Sequence, residues 1–298
     1  MLKLQCPLCQ DESLTKGKTY QFFQKSFQVL RCQNCDLVFT SPLPSDEELH
    51  RYYTSNTGLE FSGYANLKDQ IEHYLKNPPD YMERTLSWLL QEITSIKKGL
   101  KFLEIGTNLG LFGEIILKNF PVEYYGLELN QEAVSFCQSR GVLNVRSTPF
   151  EQKPYPEQSF DYISLFDVFE HLPRPEEFLL LMKSRLNPGG KILLAVPNTN
   201  TLEVKVLRFF KRLRGNDIFP RVEPLFHLYG YNEKNLQLLF ERHGFKKSSS
   251  KTYLYKHYGE AKVPIKFGKF NHSIGRVISW LNFITRNDKL LISFQLKE

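Results

Sequence analysis

From residue 100 onward, short apolar runs alternate with amphipathic stretches. Lys101-Phe102-Leu103-Glu104-Ile105 is one such run, bounded by glycine, which predicts a buried strand. The pattern then predicts a helix over 109–119, a strand over 123–127, a helix capped by Asn130 and running to 140, and a strand over 142–145. A strand over 160–165, a helix over 174–186 and a strand over 191–196 follow, then a helix over 232–243 and strands near 246–255 and 290–294. Such alternation implies right-handed crossovers and a parallel sheet covered on both faces, so the fold class is α/β. Upstream, residues 45–99 read as helical. Ser45 stands as N-cap before Asp46-Glu47-Glu48-Leu49, and Leu86, Leu89, Leu90, Ile93 and Ile96 recur at helical spacing between Tyr81 and Lys97. Pro78 and Pro79 break or start a helix there. Residues 1–44 hold cysteines and β-like runs such as Phe27-Gln28-Val29-Leu30. The expected domains are a metal-binding ribbon at 1–44, a helical linker or lid at 45–99 and an α/β domain at 100–298 with a basic insertion at 201–226.

Composition narrows the class. With 41% hydrophobic and 24% charged residues in a chain of 298, the protein folds into a globular core rather than remaining disordered. No window approaches the ~18–20 apolar residues of a membrane span, and Met1 to Cys6 lacks the apolar core of a leader, so a cytoplasmic location is expected. The net charge of +7 favours an anionic partner: nucleic acid, a nucleotide-linked sugar or an acidic membrane surface.

Four of the five cysteines fall in two pairs, Cys6-Pro7-Leu8-Cys9 and Cys32-Gln33-Asn34-Cys35, with 22 residues between them. Two such knuckles supply four thiolates, which satisfies tetrahedral Zn2+ and leaves no open position for catalysis, so the expected zinc is structural. A segment this short cannot bury enough apolar surface alone, and the metal would supply its folding energy. Cys137, in a predicted helix, reads as a core residue.

Phe102 to Gly110 reads as a strand, a turn and a helix start. Gly106 permits the sharp turn, Gly110 a close approach of the helix, and Asn108 tolerates left-handed angles between them. Glu128 ends the next strand, 24 residues after Glu104, where it can accept from both hydroxyls of a ribose. An NAD site shares that acidic residue but carries a pyrophosphate on its first turn. Glu104 would repel that group, so a cationic sulfonium is the expected guest.

On Glu104-Ile105-Gly106-Thr107-Asn108-Leu109-Gly110, Gly126-Leu127-Glu128-Leu129, Phe160-Asp161-Tyr162-Ile163 and Leu186-Asn187-Pro188-Gly189-Gly190, the chain resembles class I S-adenosylmethionine-dependent methyltransferases over about residues 80–298. The resemblance implies a Rossmann-like seven-stranded sheet. It implies that Glu104, Gly106, Thr107, Asn108 and Gly110 surround the methionine part of S-adenosyl-L-methionine and Glu128 the ribose. Leu129, Thr148, Phe150 and Phe166 complete the implied cofactor site. Arg31 to Phe39, leading to Pro42 and Pro44, is similar to the zinc-containing front end of bacterial sugar and polysaccharide-pathway methyltransferases. That similarity implies a sugar-nucleotide or lipid-linked glycan as substrate.

Methyl transfer from a sulfonium needs alignment, and a base when the acceptor is a hydroxyl. Asp167, Glu170 and His171 follow the fourth strand at i, i+3 and i+4. His171 is a candidate general base, because an imidazole titrates near ~6.5. The three side chains could instead hold a divalent metal, as in the similar cluster of ubiquinone-pathway O-methyltransferases, or Glu170 and His171 could simply tie the loop to its neighbour. His227, flanked by Tyr229 and Tyr231, is a further candidate for acceptor binding or for a packed lid. The segment after the fourth strand has neither Asn/Asp-Pro-Pro-Tyr/Phe nor a cysteine, which argues against chemistry on exocyclic base amines and on cytosine carbon 5. Thr201 to Gly215 interleaves apolar residues with Lys205, Arg208, Lys211, Arg212 and Arg214, which suits a peripheral contact with the inner membrane face or a phosphate-gripping lid. No RNA-binding signature accompanies it. The competing functions are an RNA-modifying methyltransferase that docks RNA through the ribbon, and a non-catalytic S-adenosylmethionine-binding protein.

Overall fold

A computed structural model describes residues 4–22, 24–49, 64–76, 81–93, 99–202, 204–205, 208–209, 222–253 and 289–297. In chain order the elements are β1 (Leu14–Phe22), β2 (Lys25–Cys32), β3 (Val38–Ser41), α1 (Leu67–Lys76) and α2 (Tyr81–Glu92). Then come β4 (Leu100–Ile105), α3 (Leu111–Asn119), β5 (Val122–Leu127), α4 (Gln131–Ser139), β6 (Val145–Arg146) and β7 (Phe160–Phe166). The remainder are α5 (Pro175–Ser184), β8 (Leu186–Pro197), β9 (Tyr229–Gly230), α6 (Glu233–Arg242), β10 (Phe245–Tyr253) and β11 (Lys289–Leu296). Two compact units result. One gathers Met1–Tyr64, Pro197–Leu236 and Thr252–Leu290, the other Ala65–Val196, Gln237–Lys251 and Leu291–Glu298.

The first unit is built on an antiparallel sheet in the order β1-β2-β3-β9. On β2, Phe27, Val29, Leu30 and Cys32 are buried while β1 stays largely open to solvent. Val29, Val38 and Val222 form a small core with Tyr20 packed against it. Ser45 caps its helical turn reciprocally: its N–H donates to Glu48 Oε2 (2.8 Å), and the Glu48 N–H donates to Ser45 Oγ (3.2 Å).

The second unit contains most of a seven-stranded sheet in the order β10-β11-β8-β7-β4-β5-β6. β4 pairs in parallel with β5 on one side and β7 on the other, and β5–β6 and β7–β8 are also parallel. Strand order therefore reverses at β4, and open α/β sheets bind ligands at the carboxyl end of that reversal. Phe102, Leu103, Ile163, Leu165, Ile192, Leu193 and Leu194 are fully buried, the continuous apolar pattern of a sheet covered on both faces.

Two elements differ from the sequence pattern. The strand expected over 142–145 shrinks to Val145–Arg146, because Gly141 turns left-handed (φ 88°) and the Val142 N–H donates to the Cys137 carbonyl as part of the end of α4. β8 starts at Leu186, not 191. Its Pro188-Gly189-Gly190 run is absorbed in a register shift against β7. Among the described residues no helix is long and apolar enough to cross a membrane. Parts of the helical reading (50–63, 77–80 and 94–98) and most of the basic 201–215 run lie outside the described residues.

Candidate active site and cysteine cluster

The turn after β4 is built from backbone bonds. The N–H groups of Gly106 and Thr107 both donate to the Leu127 carbonyl (2.8 and 3.0 Å), and that of Gly110 donates to Thr107 (2.8 Å). Gly106, Asn108 and Gly110 are all left-handed, at φ 81°, 47° and 70°. A Cβ on Gly106 would lie 2.4 Å from Val168 Cγ2, so only glycine fits against the loop that follows β7. The sheet thus brings the glycine turn and the segment with Asp167, Glu170 and His171 together at its carboxyl edge.

Glu128 follows β5, half-buried. Its Oε2 accepts from the Asn108 N–H (2.8 Å) and its Oε1 from the Asn130 N–H (3.0 Å). Each oxygen keeps acceptor capacity for a hydroxyl, so the carboxylate suits a ribose diol. Burial pushes the Glu128 carboxyl up from its ordinary value, against the pull of these amides. Leu129, beside it, is an exposed large apolar residue (67%) available to a flat ring, and its carbonyl accepts from Ser147 Oγ (3.0 Å). Thr148 is half-buried; Phe150 is buried, 5.2 Å from the Phe178 ring of α5. Phe166 packs edge-on against Phe112 of α3, with centroids 4.6 Å apart.

Glu104 differs from its sequence-based picture. It is buried, and accepts a short hydrogen bond from the Tyr124 hydroxyl. Burial raises its carboxyl to about 8, the Tyr124 bond pulls back, and the Glu128 charge adds to the rise. Near neutrality it is mostly a neutral acid, so the charge repulsion expected against a pyrophosphate is weak in the chain alone. Nothing in the sequence signalled Tyr124 as its partner, since the pairing crosses from β4 to β5.

Glu170 and His171 lie on a single 3-10 turn, Phe169–His171, after a left-handed Asp167 (φ 59°). Glu170 is buried and its carboxyl rises to about 8 for that reason; His171 is half-buried. His227 belongs to the first unit, in a tight 223–227 turn where the Glu223 N–H donates to its carbonyl (3.2 Å) and Phe226 stacks on its ring (4.3 Å).

The four paired cysteines converge in the first unit. Their Sγ atoms all lie within 4.8 Å of one another, with Cys6–Cys35 at 3.6 Å and Cys9–Cys32 at 3.4 Å. Tetrahedral Zn–S bonds of ~2.3 Å separate sulfurs by about 3.8 Å, so the set fits that ion. Each knuckle closes alike: Gln10 and Asp36 are left-handed and donate their N–H groups to the carbonyls of Cys6 and Cys32.

A methyltransferase-domain family matches residues 72–250, more than half of the chain. The chain is 32% identical over 110 residues to phosphoethanolamine N-methyltransferase 1 of Arabidopsis thaliana, covering 35% of this chain and 22% of that protein. It is 30% identical over 102 residues to a fatty-acid O-methyltransferase of Mycolicibacterium smegmatis, covering 32% and 36%. The chain therefore spans well under half the length of either relative. Among solved structures, the complex between the Haloferax volcanii Trm112 methyltransferase activator and a methyltransferase matches with a TM-score of 0.57 at 15% identity, covering 80% of this chain and 98% of the matched one, a likeness of fold. With the sheet order, the glycine turn and the family match in agreement, the chain belongs to the methyltransferase domain family.

Proposed function

We propose that the chain methylates a small polar acceptor, a sugar or glycan precursor, and that its cysteine knuckles hold a structural zinc. The carrying observation is the packing of Val168 against Gly106, which sets the β7 loop beside the turn proposed to hold the methyl donor. Bound S-adenosylmethionine supplies an electrophilic methyl group. The protein's part is to orient the donor through the Gly106–Gly110 turn and Glu128, and to bring the acceptor into line. His171 takes the proton from an acceptor hydroxyl. Glu170, buried on the same 3-10 turn, supports that turn as a neutral acid, and His227 is assigned, on the first unit by itself, to contact with the acceptor. The relatives named above are a phosphoethanolamine N-methyltransferase and a fatty-acid O-methyltransferase. The glycan follows instead from the likeness of the cysteine front end to sugar-pathway methyltransferases. The basic 201–215 run supplies charge for a phosphorylated precursor.

Incubation with methyl-labelled S-adenosylmethionine and fractionated extract should place label in sugar-nucleotide or lipid-linked glycan fractions; label in RNA would overturn this acceptor. His171→Ala should lower kcat about 100-fold or more with S-adenosylhomocysteine affinity unchanged. Intact turnover at saturating acceptor would remove the base.

A further inference from the structure

Asn108 occupies the middle of the proposed cofactor turn with a left-handed backbone (φ 47°), a conformation that costs any residue with a Cβ more than it costs glycine. Both of its peptide groups are held. Its N–H donates to Glu128 Oε2 at 2.8 Å, and its carbonyl accepts from the thiol of Cys137 at 3.3 Å. Cys137 sits on α4 and is completely buried. Its bulk is matched to the turn as well: a Cβ on Gly110 would stand 2.7 Å from Cys137 Sγ and 3.1 Å from its Cβ. Burial holds the thiol up at about 12 against the pull of a Thr107 hydrogen bond, with the Glu128 charge adding to the rise, so it remains a donor across the physiological range.

We propose that Cys137 is a positioning residue for the cofactor. Its thiol latches the Asn108 carbonyl, and its sulfur sets how closely the Gly110 end of α3 approaches α4. The latch stabilises the left-handed Asn108, and thereby the peptide N–H that orients Glu128. This rests on the reading that the Gly106–Gly110 turn holds S-adenosylmethionine. A cysteine that merely filled the core would affect folding without being coupled to the backbone angle of Asn108.

The test is a double-mutant cycle read by calorimetric titration of S-adenosylhomocysteine into the full chain. Cys137→Ala should weaken binding about five- to tenfold, the effect of one lost hydrogen bond. In an Asn108→Gly background the same substitution should change affinity less than about twofold, because glycine adopts the left-handed conformation without a latch. Equal losses in both backgrounds, or a lower melting temperature with unchanged affinity, overturn the proposal. If Cys137→Ala does not fold, Cys137→Val, which fills the site with a somewhat larger side chain and lacks the donor, takes its place in the same cycle. Glu128→Ala separates the two readings. If it leaves affinity unchanged, the turn is not the cofactor site and the latch falls with it. If it abolishes binding while the cycle shows no coupling, the latch alone fails.

Discussion

Burial sets the chemistry of Glu104 and Glu170 more than their neighbours in sequence do. Both carboxyls rise from 4.5 to about 8 because the folded chain removes them from water. The folded state thus holds these protons more tightly than the unfolded one. The resulting stabilisation is fully present below about pH 4.5 and is lost as pH rises through about 8. Glu104→Gln keeps a hydrogen-bonding side chain for Tyr124 and cannot titrate. Its urea midpoint should therefore fall less than that of the parent between about pH 5 and 8, and parallel curves would show that Glu104 does not titrate in that window. Glu128 followed by Asn130 was legible in the sequence as a strand end and a helix cap, since both depend on local spacing. The Asn130 side chain accepts from Glu132 and Ala133 as a cap should.

The docking of α2 on the sheet rests on a polar chain that no local pattern announces. Trp88 Nε1 donates to Ser249 Oγ (2.9 Å), the Ser249 N–H donates to Ser293 Oγ (3.1 Å), and Ser293 Oγ donates to Glu92 Oε2 (2.7 Å). Lys191 Nζ donates to the carbonyl and carboxylate of Glu92 (3.1 and 3.2 Å). The members come from α2, β8, β10 and β11. Ser293→Ala leaves a buried carboxylate and a backbone N–H short of a partner, at a cost of about 2 kcal/mol. Hydrogen exchange should then show the amides of α2 and β10 losing protection together; loss confined to β11 would refute the coupling.

The seven-stranded sheet has a continuous, fully buried apolar core, whereas the first unit has a small valine core and four clustered thiols. Under the zinc proposal, one zinc should copurify per chain, and a strong chelator should abolish exchange protection in the β1–β2 hairpin while leaving β4, β5 and β7 protected. A fully protected hairpin after chelation, with no metal by mass spectrometry, would remove the zinc. The residues alone determined the α/β class, the glycine turn and the two cysteine knuckles, because each depends on periodicity or on spacing within a few tens of residues. Only the tertiary structure decided that burial neutralises Glu104 against the pull of its Tyr124 bond, that Val168 requires Gly106 to be glycine, and that Cys137 lies against Asn108 rather than simply within a core. Each of these is a contact between elements brought together by strand order, and the energy of burying a polar group depends on what surrounds it rather than on its place in the sequence.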